Sequence, residues 1–107
     1  VAEAQIQQEI LLALGRRVRL WRQNAGKWRT VRGPCPDCAR RSYWIQGAPT
    51  GAADLSGILN DGRRLEIEVK AALGQQSPEQ ANWQRMIESR GGVYILARSA
   101  EEAERWI

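Results

Sequence analysis

Histidine is absent from this 107-residue chain, which rules out Ser-His-Asp and Cys-His nucleophilic mechanisms, His-based nuclease metal motifs and imidazole general bases. Any chemistry must run on carboxylates, amines, thiols or bound metal. Cysteine is nearly absent as well. Cys35 and Cys38 are too few for a disulfide scaffold and too close in sequence to staple distant segments, so a reducing compartment is the simpler reading. Lysine occurs only as Lys27 and Lys70. No apolar run approaches the roughly 18 residues of a membrane helix, and Val1-Ala2-Glu3-Ala4-Gln5 shows no basic region ahead of a hydrophobic one. The expectation is a soluble, cytoplasmic protein (host cytoplasm if viral) with no membrane partner.

The rest of the composition describes one folded domain. The chain is 43% hydrophobic and 26% charged, a globular balance without the charge excess that keeps chains disordered, and its length allows one core. The net charge is +4, and it is unevenly spread. Between positions 16 and 41, Arg16, Arg17, Arg19, Arg22, Lys27, Arg29, Arg32, Arg40 and Arg41 meet a single acid, Asp37, whereas positions 51 to 107 hold nine acids and seven bases. Arginine suits bidentate phosphate contacts, so a polyanion is one reading of the basic half and a solvated face is the other. Trp21, Trp28 and Trp44 lie among these bases, placed either for packing or for stacking on unpaired bases.

Periodicity orders the elements. Ile6, Ile10, Leu11 and Leu14 fall near one face of a helix over residues 2–14 that stops at Gly15. Val18 and Leu20 then alternate with arginines, and strands are expected at 27–31 and 42–46 with residues 33–41 as the turn between them. Residues 54–59 and 63–70 flank Asn60-Asp61-Gly62, a strong hairpin signal. Ser77-Pro78-Glu79-Gln80 opens a helix with an N-cap Ser, Pro at the first position and Gln at the capping-box position, and Gly91-Gly92 closes it. Residues 93–97 form a buried-type strand, and Ser99 with Glu102 starts a terminal helix reaching Trp106. The order implies an α/β domain with helices packed on a mixed sheet, without repeats or linkers.

Chemistry concentrates on the hairpin. In Leu65-Glu66-Ile67-Glu68-Val69-Lys70 the apolar residues take one side and Glu66, Glu68 and Lys70 the other. If Asn60 to Gly62 is a three-residue loop with a left-handed Gly62, Leu59 pairs with Arg63 and Leu55 with Ile67, and Asp54 falls opposite Glu68. Two acids about 5 Å apart repel unless a cation sits between them or one is protonated. Hard oxygen ligands of this kind suit Mg²⁺ or Mn²⁺, and the Lys70 ammonium could orient water or stabilise phosphate charge. A surface strand of alternating charges is the competing explanation of Glu-x-Lys.

The ordered set Gly51-Ala52-Ala53-Asp54-Leu55-Ser56-Gly57, Glu66-Ile67-Glu68-Val69-Lys70, Gly74 to Gln80 and Gly91-Gly92-Val93-Tyr94 resembles the virus-type replication-repair nuclease (VRR-NUC) domain of the PD-(D/E)xK superfamily over nearly the whole of residues 1–107. The resemblance implies a restriction-endonuclease-like mixed sheet flanked by helices, with Asp54, Glu68 and Lys70 at the metal site. It implies an acid in the first helix, which maps best on Glu9 with Glu3 as the alternative. It also implies a Gln in the helix after Glu-x-Lys, which falls on Gln80, where capping explains the residue equally well. Asn24-Ala25-Gly26 resembles the family's Asn-x-Gly, expected near the nucleic-acid backbone, or is an ordinary turn.

The basic insert around Cys35-Pro36-Asp37-Cys38 departs from the family motif. It is a thiol-bearing turn, half of a Zn²⁺ site completed by a second subunit, or a redox pair. By resemblance the chain is a Mg²⁺- or Mn²⁺-dependent endodeoxyribonuclease of phage type acting on branched DNA such as four-way (Holliday) junctions. DNA-contacting candidates are Arg22, Asn24, Lys27, Arg29, Arg32, Arg40 and Arg41. Two symmetric nicks need two sites, hence a homodimer, with an interface around Trp83, Met86 and Ile87 or at the cysteines. A non-catalytic DNA- or junction-binding module and a flap or nicking nuclease are the alternatives.

Overall fold

The structure is a computed structural model that describes residues 2–29 and 44–107. It contains α1 (Glu3–Leu14), β1 (Arg19–Arg22), β2 (Lys27–Arg29), β3 (Trp44–Gln46), β4 (Leu55–Ile58), β5 (Arg64–Val69), α2 (Pro78–Ser89), β6 (Val93–Ala97) and α3 (Ala100–Glu104). The main sheet has the order β1-β4-β5-β6, antiparallel except for the parallel β5/β6 pair. This is the expected α/β domain with a mixed sheet flanked by helices. β2 and β3 are not part of that sheet; they pair with each other in the register Lys27↔Gln46. The expected 33–41 turn lies outside the described residues.

One sheet face carries the main core. Leu55, Leu65, Ile67, Val69, Ile95 and Ala97 pack against Ile6, Ile10 and Leu14 of α1 and Ala100 and Ala103 of α3. Ile10, Leu14, Leu55, Leu65 and Ile67 are fully buried, and truncating any one to Ala costs about 2–5 kcal/mol. The other face carries Glu66, Glu68, Tyr94 and Leu96, and α2 covers it. A smaller apolar cluster of Ala53, Ile87 and Tyr94, flanked by Trp83, Met86 and Leu96, holds that helix in place.

The ends of the elements follow local chemistry. Ser77 Oγ accepts from Gln80 N at 3.2 Å and Gln80 Oε1 accepts from Ser77 N at 2.8 Å, the expected capping box. The second cap is a variant: Ser99 Oγ accepts from Glu102 N, but the Glu102 carboxylate accepts from Arg98 N rather than from the cap residue. α3 stops at Glu104, two residues short of the expected Trp106, which is exposed. Gly15 ends α1 in a right-handed conformation, and the chain continues through a turn into β1.

Candidate active site

The site is built on the β4/β5 hairpin. Gly62 N donates to Leu59 O and Leu59 N to Arg63 O, each at 2.9 Å, and Gly62 adopts φ +92°. That left-handed backbone suits glycine and closes a three-residue loop. Asp61 braces it by accepting from Arg63 N and Nε, and the Arg63 backbone N–H holds the Asp61 carboxyl below its ordinary pKa. From this loop the register runs Ile58↔Arg64, Gly57↔Leu65, Ser56↔Glu66 and Leu55↔Ile67. One step further sets Asp54 beside Glu68, the register expected from the loop length.

Asp54 is held by the backbone: its Oδ2 accepts from Val69 N at 2.9 Å. Glu68 is 2% exposed. Its Oε2 accepts from Gln80 Nε2 at 3.1 Å and lies 3.6 Å from Lys70 Nζ, while its Oε1 is buried without a hydrogen-bond partner. Burial pushes the Glu68 pKa up to about 8, helped by the neighbouring Asp54 charge and opposed by Lys70. Tyr94, on the adjacent strand, is pushed up to about 12, first by burial and also by the Glu68, Asp54 and Glu66 charges, against a hydrogen bond donated by Gln76. Burial and the Asp54 charge therefore both resist a second negative charge in the pocket.

Such a pair suits a hard divalent cation, which Asp54 and Glu68 would hold once Glu68 gives up its proton. Among the described residues no group of three or more His, Cys, Asp or Glu side chains converges as a metal cage. Two carboxylates suffice for Mg²⁺ or Mn²⁺, which usually keep several waters and take a substrate phosphate as well.

Glu66, two residues before Glu68 on the same face, is also fully buried. Its position is structural. Trp83 Nε1 donates to its Oε1 at 2.6 Å, Gln23 Nε2 to the same oxygen at 3.3 Å and Arg64 Nε to Oε2 at 3.2 Å. Glu66 thus ties α2 and the segment after β1 to β5. Gln80 makes two contacts at once: its carbonyl oxygen caps α2 and its amide nitrogen donates to Glu68. The solvated-strand explanation of Glu-x-Lys does not describe β5, because both glutamates lie under α2.

The other candidates are placed as follows. Glu9 is exposed and its Oε1 accepts from Gln5 Nε2 at 3.3 Å. Glu3 reaches the end of β5, where its Oε2 accepts from Ala71 N at 3.4 Å. The two acids lie about 120° apart around α1, so only one can address the site. Arg22, whose Nη2 donates to Gln8 Oε1 at 3.1 Å, lines with Gln7, Gln23, Asn24, Ala25 and Asp54 an open cleft of about 530 Å³. Asn24 O accepts from Ala48 N at 2.6 Å and Gly26 N donates to Ala48 O at 2.7 Å, so the Asn24 to Gly26 segment is tied to residues 46–48. Lys27 is exposed, its Nζ 5.8 Å from the centroid of the Trp44 ring. Arg29 is on β2, paired through its backbone with Trp44. Arg32, Arg40, Arg41, Cys35 and Cys38 lie outside the described residues.

Of the candidate interface residues, Ile87 is buried in the smaller core and the Trp83 indole is engaged with Glu66, so both serve the packing of α2. Trp83 and Gln23 as partners of Glu66 carry no sequence signal, since each lies remote from it in the chain. No family model matches the chain, and neither a curated protein nor a solved structure shows significant similarity to it.

Proposed function

We propose that the chain is a Mg²⁺- or Mn²⁺-dependent endodeoxyribonuclease of PD-(D/E)xK type. The observation that carries the reading is the pairing of Asp54 with a buried Glu68 whose Oε1 has no partner, with the Lys70 ammonium 3.6 Å from Oε2. A buried carboxyl this close to a second acid resists ionisation, and a divalent cation is the partner that would let both ionise. The cleft that joins Asp54 to Arg22 and Asn24 provides room and positive charge for a phosphodiester backbone.

A divalent cation held by Asp54 and Glu68 would supply Lewis-acid charge at the phosphoryl group. The chain's own contributions are separate. The Val69 N–H fixes the direction of Asp54, and Gln80 fixes that of Glu68. Lys70 places its Nζ beside the pair, where it can donate to the attacking water or to a phosphate oxygen and stabilise charge in an in-line displacement. The products expected from this chemistry carry a 5′-phosphate and a 3′-hydroxyl. Branched DNA as substrate and a twofold dimer belong to the same proposal, supported by the VRR-NUC resemblance and by the symmetry of a four-way junction.

The test is cleavage of labelled duplex, flap, fork and four-way junction DNA with EDTA, Mg²⁺ or Mn²⁺, alongside sedimentation of the protein at micromolar concentration. Metal-dependent cutting supports the nuclease, preference for junctions supports the substrate, and a dimer supports the symmetry argument. Tight binding to DNA with no cutting under any metal would make the chain a binding module instead.

A further inference from the structure

Lys70 directly follows β5, and the chain folds back onto it. Gly74 N donates to Ala71 O at 3.0 Å, closing a turn over residues 71–74. Gly74 lies on the lysine stem: a Cβ added there would sit 3.3 Å from Lys70 Cδ and 3.4 Å from Lys70 Cβ. The turn thereby walls one side of the methylene chain, whose ammonium extends to Glu68. Apolar packing does not hold this turn, because Leu73 is 94% exposed and Ala72 is exposed as well.

Arg98 holds it. From the residue after β6, Arg98 Nη1 donates to Ala71 O at 2.7 Å, to Gly74 O at 2.8 Å and to Ala72 O at 3.4 Å. Hydrogen bonds from a charged donor are stronger than neutral ones, and among the described ion pairs none involves this guanidinium. Arg98 is itself fixed at its backbone, where its N–H donates to Glu102 Oε2 at 3.2 Å. On the other side of the turn Glu3 Oε2 accepts from Ala71 N.

We propose that Arg98 is a positioning residue: by clamping the 71–74 turn against the stem of Lys70, it fixes the Lys70 ammonium beside Glu68. The catalytic consequence rests on the nuclease reading above; the structural consequence does not. The full chain offers a direct probe, because Lys27 and Lys70 are its only lysines and Lys27 is exposed while the Lys70 side chain is 13% exposed. Acylation by an N-hydroxysuccinimide ester, followed by mass spectrometry, reads Lys70 against Lys27 as internal reference.

In Arg98→Gln the Lys70 to Lys27 labelling ratio should rise several-fold, and Arg98→Lys should return it toward the parental value. In cleavage, Arg98→Gln should lower kcat on the order of 10- to 100-fold, the scale of a roughly 1 Å misplacement, with KM and DNA affinity unchanged and partial rescue by Arg98→Lys. A folded Arg98→Gln with the parental labelling ratio overturns the proposal. So does a raised KM with kcat intact, which would make Arg98 a DNA contact. If Arg98→Gln does not fold, Gly74→Val perturbs the same turn while keeping the arginine, its Cβ pressing on the Lys70 stem; it should raise the ratio and lower kcat, and failure to do either overturns the clamp. A parental protein that cuts no DNA, while Arg98→Gln still raises the ratio, refutes the nuclease reading and leaves the positioning of Lys70 demonstrated.

Discussion

Glu68 should make the metal-free protein lose stability as the pH rises through neutrality. Folded, its carboxyl keeps the proton up to about pH 8; unfolded, it titrates near 4.5. Between those values the native state binds more protons than the unfolded state, so unfolding becomes easier with each step up in pH. Integrated from pH 6 to pH 8, this single group removes about 2 kcal/mol, on the order of a 10 °C fall in Tm for a domain of this size. The window is favourable because the chain has no histidine to titrate within it. Urea unfolding in EDTA at half-unit pH intervals measures the slope, and Glu68→Gln, which has no proton to lose, should flatten it.

A divalent cation should act in the opposite sense. On the metal site proposed above it would bind the ionised pair, so Mn²⁺ should stabilise the protein more at pH 8 than at pH 6, where binding must first expel the Glu68 proton. At a concentration of about 100 times Kd the gain is about 2.7 kcal/mol, enough to cancel the alkaline loss. A parental profile that is flat in EDTA, or a slope that persists in Glu68→Gln, would refute the assignment of the raised pKa to this carboxyl.

Lys70→Ala should lower kcat on the order of 100- to 1000-fold, the loss typical of one oriented donor, while folding and DNA affinity stay at parental levels; Asp54→Ala should abolish Mn²⁺ binding, measured calorimetrically, together with cleavage. Trp83→Phe should cost about 1.5–3 kcal/mol in urea unfolding, because it removes the 2.6 Å donor to a fully buried Glu66; a loss below about 0.5 kcal/mol would show that Glu66 finds another partner. If an acid of α1 assists the reaction, Glu3→Gln should slow cleavage and Glu9→Gln should not, as their separate contacts with Ala71 and Gln5 imply; the reverse ranking would mean that α1 sits differently in the DNA complex.

The hairpin was legible because its information is local. Three loop residues and a period of two are enough to put Asp54 beside Glu68, and no distant part of the chain has to cooperate. The start of α2 was legible for the same reason, since Ser77, Pro78 and Gln80 act on one another within a single turn. Glu3 and Glu9 were not separable in this way. Both are acids on one helix, and which of them meets β5 depends on how α1 crosses the sheet, a packing property that its own sequence does not encode.

The burial of Glu66 and Glu68 is the most informative gap. Alternating charge on β5 looks the same whether that face meets water or a helix, and α2, which settles the matter, begins ten residues after Glu68. The two explanations of Gln80 are compatible. A carboxamide has an acceptor and a donor on opposite atoms, and here the first closes the helix cap while the second holds the Glu68 carboxylate. The cap and the site are therefore one linkage: whatever shifts the first turn of α2 also shifts the hydrogen bond that orients Glu68. Gln80→Glu would keep the capping acceptor but replace the donor with a carboxyl, bringing a third acid to a pair that already resists a second negative charge.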